Sequence, residues 1–273
     1  MPAYSPYDWN ESIQQRNEYI EDRLKDGSPV IALAYDSPPS GGGAGGGGGL
    51  LLLSVRQTQR KVYEIYDRLM FSAIGNHSDI EQIRVGCIDA AHVEGFQRSP
   101  EDVSVQRLVS FRISPSIKRI YSDPFAQPAV FRGIFAELGK TPERDVIMVV
   151  SYDGEFSNND NLAVVAGSAY AEDRMKAHLK TETESGTPDL NVALSAALYA
   201  WGIGKKHLDA DDRSDADYSG DDENAGDVSS FITKQLSDGW TVEAAVLERS
   251  TTRENRFRML GDRDLTETLA KYK

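Results

Sequence analysis

The chain has almost no cysteine, no excess of basic residues and no long apolar run. Its 273 residues include a single cysteine, Cys87, which excludes an intramolecular disulfide and a cluster of thiolate metal ligands. Acidic residues outnumber basic ones by 43 to 30, giving a net charge of -13, whereas a general nucleic-acid binder needs a basic surface. The most apolar run, 50–53, is far shorter than the roughly 20 residues that cross a bilayer. The N-terminal sequence MPAYSPYDWNES lacks the basic and apolar regions of a secretory signal, so we expect a cytoplasmic protein.

Hydrophobic residues make up 40% of the chain, which is enough for a folded core. Helix formers with apolar residues near helical spacing predict a helix over 8–26, which Gly27 ends. Short apolar runs at 30–35, 50–57 and 71–75 predict strands.

Two helices are predicted after this first group of strands. The first begins near Asn76 or Ser78 and carries an apolar stripe. The second opens at Ser99 and continues through Leu108, Phe111 and Ile117, with a kink or early end expected at Pro115.

The remaining elements again arrive in local groups. Strands are predicted at 130–138, 145–154 and 161–167, helices at 170–182 and 188–203, a strand at 241–249 and a helix at 264–272. Strands grouped in this way favour antiparallel sheets with outer layers of helices.

Two segments have unusual composition. Glycine fills most of 37–49, and this predicts a loop between two paired strands; a phosphate-binding loop would need a following helix and a Lys-Ser/Thr pair. Nine of the 19 residues of 209–227 are acidic and one is basic, which favours a solvated loop, because the ligand spacing of a calcium-binding EF-hand is absent.

Three strings in this order resemble the α-type subunit of the bacterial 20S proteasome. They are EYIEDRLKDGSPVIALAY, LLLSVRQTQRKVYEIYDRLMFSAIG and VEAAVLERSTTRENRFRML. The resemblance implies an α+β fold, a four-layer αββα sandwich with two antiparallel sheets and an N-terminal helix. It also implies a single domain over 8–273, preceded by a flexible gate segment at 1–7 that includes Pro2, Tyr4, Ser5 and Pro6.

The same resemblance implies a non-catalytic subunit without cofactors. Seven copies would form a ring that stacks on β-type peptidase subunits, docks an AAA+ ATPase activator, templates β-subunit assembly and admits protein substrates. A ring scaffold without a peptidase partner is the alternative binding function.

The resemblance also implies an activator-binding pocket made by Glu18, Gly27, Lys61 and Gly75. Lys61 would receive the terminal carboxylate of the activator, and the glycines would let its tail approach the backbone. Without the resemblance, the sequence favours the interpretation of Lys61 as a solvated charge at a strand end.

Ser28 is the alternative catalytic residue, as the nucleophile of a self-processing N-terminal nucleophile peptidase. Its position after a helix and before Pro29 weighs against that role. Cys87 lies on an apolar helix stripe and is expected in the core. The four histidines lack metal-ligand spacing, so no metal site is predicted.

Overall fold

The computed structural model describes residues 6–36, 47–211 and 225–272 of the chain. Within these ranges the strands are β1 Val30–Tyr35, β2 Gly49–Arg56, β3 Val62–Tyr66, β4 Leu69–Gly75, β5 Phe131–Glu137, β6 Val146–Val150, β7 Phe156–Asn159, β8 Leu162–Val165, β9 Thr241–Glu248 and β10 Phe257–Met259. The helices are α1 Pro6–Lys25, α2 His77–Gln97, α3 Val105–Leu108, α4 Ser114–Ser122, α5 Ala169–Thr183, α6 Leu190–Asp211, α7 Ala225–Ser237 and α8 Asp262–Ala270.

The strands form two five-stranded antiparallel sheets. One sheet has the order β10-β9-β2-β1-β8 and the other β3-β4-β5-β6-β7. Three apolar clusters separate four layers: α5 to α8 against the first sheet, the two sheets against each other, and α2 to α4 against the second sheet. The predicted αββα sandwich is therefore confirmed.

β1 shows why the central strands are apolar along their whole length. Its residues alternate between two cores: Ile31 and Leu33 face the helices, whereas Val30 and Ala32 face the other sheet. Because side chains alternate along a strand and both faces are covered, every position must be apolar. β1 and β2 pair from Val30 to Tyr35, which confirms the paired strands on either side of the glycine-rich segment.

α1 closes one end of the space between the sheets. Ile20 and Leu24 are buried in the core between the sheets. The helix then ends, and the amide of Gly27 donates to the carbonyl of Leu24 at 2.9 Å. This arrangement fixes the start of β1 close to the end of α1.

The helix predicted from Ser99 onward is interrupted. Ser99 caps a short 3₁₀ turn, Pro100–Asp102, and a new helix starts after Ser104. A π-helical turn, Val109–Ile113, precedes Pro115, in line with the expected kink. The π turn shifts the buried stripe to Val109, Ile113 and Ile117, so the prediction for Phe111 was wrong: it is 69% exposed.

The predicted loop at 209–227 is shorter than expected. α6 continues to Asp211 and α7 starts at Ala225, so helices occupy both ends of the segment. Its remainder, 212–224, and most of the glycine-rich segment, 37–46, lie outside the described residues. None of the helices in the described ranges is long and apolar enough to span a membrane.

Candidate functional site

A pocket of about 250 Å³ opens where α1 ends and β1 begins. Its wall combines the 26–28 segment, the β2–β3 connection and the first residues of α2. Three of the four predicted pocket residues, Gly27, Lys61 and Gly75, meet here. Residues distant in the sequence therefore form one site, because α1, β2 and β4 converge at this end of the sandwich. Two larger depressions, of about 600 and 980 Å³, contain none of the four.

Lys61 immediately precedes β3, and its side chain extends into the pocket. Its Nζ donates to the carbonyl oxygen of Ser28 at 3.0 Å. Burial lowers the pKa of Lys61 to about 8, an effect that the Glu243 carboxylate opposes and the Lys205 ammonium reinforces. Lys61 is thus still mostly protonated at neutral pH, so the pocket holds a partly buried cation.

Glu243, on β9, is the site residue that sequence reasoning missed. It is only 5% exposed. Its Oε2 accepts a hydrogen bond from the backbone amide of Lys61 at 3.1 Å and lies 2.9 Å from Nε of Arg56. Burial outweighs these favourable contacts and raises the pKa of Glu243. An acid within the apolar run of β9 was the available signal, since a buried carboxylate needs partners.

The hydroxyl of Ser28 is fully engaged in structural hydrogen bonds. It donates to the carbonyl of Val55 at 2.5 Å and accepts from the indole Nε1 of Trp201 at 2.8 Å. The side chain is 7% exposed. Neither of these two partners can take a proton from the hydroxyl, so its hydrogen bonds are structural and do not activate Ser28 as a nucleophile.

Close packing leaves no room for a Cβ at either glycine of the pocket, and at Gly75 the backbone conformation also favours glycine. Gly75 has a φ of +126°, and a Cβ there would lie 2.0 Å from the carbonyl oxygen of Val130. A Cβ on Gly27 would lie 2.8 Å from Cβ of Ile74. Local packing therefore accounts for these glycines without any ligand.

The remaining predicted residues lie away from the pocket or outside the described ranges. Glu18 is on the exposed side of α1, where its carboxylate accepts a hydrogen bond from Gln14 at 3.0 Å. Pro2, Tyr4 and Ser5 of the predicted gate lie outside the described residues, and Pro6 is the first residue of α1.

The described ranges contain no group of three or more His, Cys, Asp or Glu residues arranged to hold a metal ion. Cys87 is in the core, as predicted: it is 2% exposed, and burial raises the pKa of its thiol to about 12. The thiol is therefore protonated and unreactive at neutral pH.

Comparison with known proteins finds relatives among proteasome alpha subunits, although no family model matches the chain. A proteasome subunit alpha of Actinosynnema mirum is 28% identical over 262 residues, covering 96% of this chain and 85% of the relative. A proteasome subunit alpha of Kineococcus radiotolerans is 30% identical over 211 residues, covering 77% of each chain. A third, from Nocardioides, is 28% identical over 157 residues, or 58% of each chain. Together with the two-sheet sandwich, these likenesses show that the chain belongs to the proteasome subunit alpha family.

Proposed function

We propose that this chain is a non-catalytic ring subunit of a proteasome, and that its pocket docks the C-terminal tail of an ATP-driven activator. The observation that carries the docking proposal is the Lys61 ammonium, held by the Ser28 carbonyl inside the pocket. A compact ammonium suits a single terminal carboxylate. Partial desolvation strengthens the attraction between the two charges.

The charge around the pocket supports an anionic ligand. Arg56, Arg60 and Lys61 line it, whereas the carboxylates at the site are that of Asp26 in the lining and that of Glu243, which pairs with Arg56. The surrounding protein has a net charge of -13, so this basic site contrasts with the rest of the chain. Its volume of about 250 Å³ is below the roughly 300–1,000 Å³ of most small-molecule sites. These properties favour the end of a peptide chain.

The contacts of Ser28 support a non-catalytic role. An N-terminal nucleophile becomes active only when cleavage frees its own α-amine. Cleavage before Ser28 would detach α1, whose Ile20 and Leu24 are buried between the sheets. Peptide-bond hydrolysis would instead reside in β-type subunits stacked on the α ring.

The two faces of α1 support its use in ring assembly. One face packs on the chain's own core, while Tyr19, with Arg23 above its ring, remains exposed on the other. Glu18 also lies on the exposed side. In a ring of seven copies, this face would contact the neighbouring subunit and bring Glu18 to the neighbour's pocket. The α ring would then template the assembly of the β rings.

Native mass spectrometry tests this function directly. The chain alone should form a closed oligomer of intact 30.1 kDa subunits, and a β-type subunit from the same genome should add a second ring. Loss of residues 1–27 from the subunit mass would support the alternative of a self-processing peptidase that uses Ser28. A ring that never incorporates β subunits would support the scaffold alternative.

We also propose that the residues before α1 gate the axial pore. Deleting residues 2–5 should speed degradation of an unstructured protein by the assembled particle, because entry is no longer obstructed. Hydrolysis of a fluorogenic peptide small enough to diffuse through the gate should change much less. The measurement is the initial rate for each substrate with purified wild-type and truncated particles. Equal rates of protein degradation would exclude a gate formed by these residues.

A further inference from the structure

Glu243 connects the two sheets at the pocket. Its strand, β9, belongs to the first sheet, whereas the amide that it binds belongs to Lys61 at the start of the second. The same carboxylate pairs with Arg56 at the end of β2. One buried group thus ties together both ends of the β2–β3 connection.

We propose that Glu243 is the positioning residue of the pocket: its carboxylate, hydrogen-bonded to the Lys61 amide and paired with Arg56, fixes the backbone at Lys61 and places a negative charge next to this lysine. The inference deepens the proposed docking function and rests on it. Its physical basis is nevertheless separable, because the state of Lys61 can be measured without any ligand.

The charged and titratable groups around Lys61 explain why one carboxylate matters. The groups near it are Glu243 on β9, Lys205 on α6, Arg56 on β2, Arg60 in the β2–β3 connection, Asp26 after α1, Tyr63 on β3 and His77 on α2. Most of the charged groups are cations, which disfavour a protonated lysine. Glu243 is the group that raises the pKa of Lys61 against burial and against Lys205.

Glu243→Gln separates the two roles of the carboxylate. Its carbonyl oxygen can still accept from the Lys61 amide, but the negative charge is gone. Glu137 is a matched control: it is 7% exposed, accepts from the backbone amide of Val105 at 2.7 Å and pairs with Arg68, but it lies outside the Lys61 pocket. Glu137→Gln therefore removes a buried, arginine-paired carboxylate at a different place.

The decisive measurement is the titration of Lys61 in the full-length chain. Lysines labelled with ¹³C at Cε would be followed by NMR from pH 6 to 10, and Lys61→Arg would identify the Lys61 signal. We expect a wild-type midpoint near the pKa of about 8. In Glu243→Gln the midpoint should fall by about one pH unit or more, because a neighbouring anion has been removed. In Glu137→Gln it should not move.

Hydrogen exchange tests the backbone role. Glu243→Met removes the acceptor as well as the charge, so exchange at the Lys61 amide should accelerate, whereas in Glu243→Gln it should stay near the wild-type rate. An unchanged Lys61 midpoint in Glu243→Gln would overturn the electrostatic part of the proposal. Unchanged exchange in Glu243→Met would overturn the positioning part.

Ligand binding connects the inference with docking. The probe is a pool of fluorescent random pentapeptides with a free C-terminal carboxylate, and the same pool as C-terminal amides is its control. For a midpoint lowered by one unit, Glu243→Gln should bind the acid pool about 3-fold more weakly at pH 7.5 and about 8-fold more weakly at pH 8.5. If Glu243→Gln shifts the Lys61 midpoint but the wild type does not prefer acids over amides at any pH, the docking function fails while the positioning role of Glu243 stands.

Discussion

Replacing Lys61 with alanine should abolish activator-dependent proteolysis and leave the particle itself intact. The substitution removes a charge-assisted hydrogen bond to the terminal carboxylate, which is worth roughly 1.5–3 kcal/mol. Affinity per tail should therefore fall about 10- to 100-fold. A ring that binds several tails at once, as proposed, would multiply this loss across the complex.

Three measurements on one preparation check this expectation. Degradation of a folded substrate with ATP and activator should fall to the level without activator, whereas hydrolysis of a small fluorogenic peptide and ring assembly by native mass should stay at wild-type values. In the wild type, docking should weaken as the pH rises through the Lys61 pKa of about 8, since the protonated amine is the binding form. Lys61→Ala should lack this alkaline loss.

Lys140→Ala is the matched control for removal of a lysine charge. Lys140 is 79% exposed, pairs with Glu101 and lines a different depression, so its loss should have little effect. If the activator stimulates the wild type, Lys61→Ala and Lys140→Ala equally, Lys61 does not bind the activator and is only a charge at a strand end. Loss of small-peptide hydrolysis by the chain alone, in a β-free preparation of Lys61→Ala, would instead support the Ser28 peptidase.

The layered arrangement of sheets and helices could be predicted from the sequence because the central strands are buried on both faces. Apolar runs such as 30–35 have few alternatives to a covered strand, and all six residues of β1 are indeed buried. Shorter, more polar elements gave no such signal. β7, Phe156–Asn159, is largely exposed, and it is specified by its pairing with β6 rather than by its own composition.

The candidate site could be predicted only in part, because some of its residues lie far apart in the sequence. Lys61 and the two glycines could be located from local strings, but Glu243 lies 182 residues from Lys61 and becomes its neighbour only when β9 folds beside β2. Trp201 likewise reaches Ser28 across 173 residues. Such contacts depend on tertiary packing, and no spacing rule along the chain indicates them.

The pocket glycines show how a functional interpretation and a structural one can be separated. The resemblance assigns Gly75 to the approach of an activator tail, whereas its φ of +126° and the nearby Val130 carbonyl require glycine in the unbound chain. Gly75→Ala should therefore destabilise the isolated subunit. Backbone strain costs roughly 1–3 kcal/mol and the steric clash about as much again, so we expect a loss of about 2–6 kcal/mol. Thermal unfolding should then begin roughly 5–15 °C lower.

Gly86→Ala is the control that makes this measurement specific. Gly86 lies within α2, and a Cβ there would have nothing within 4 Å. Alanine in a helix interior should stabilise the subunit by about 0.5–1 kcal/mol, so the two glycine substitutions should shift the melting temperature in opposite directions. If Gly75→Ala has the melting temperature of the wild type but no longer docks the activator, Gly75 is required for ligand binding. The destabilisation expected from backbone strain is then wrong. If it melts lower and the surviving rings still dock the activator, the fold alone requires Gly75, and the docking function rests on Lys61.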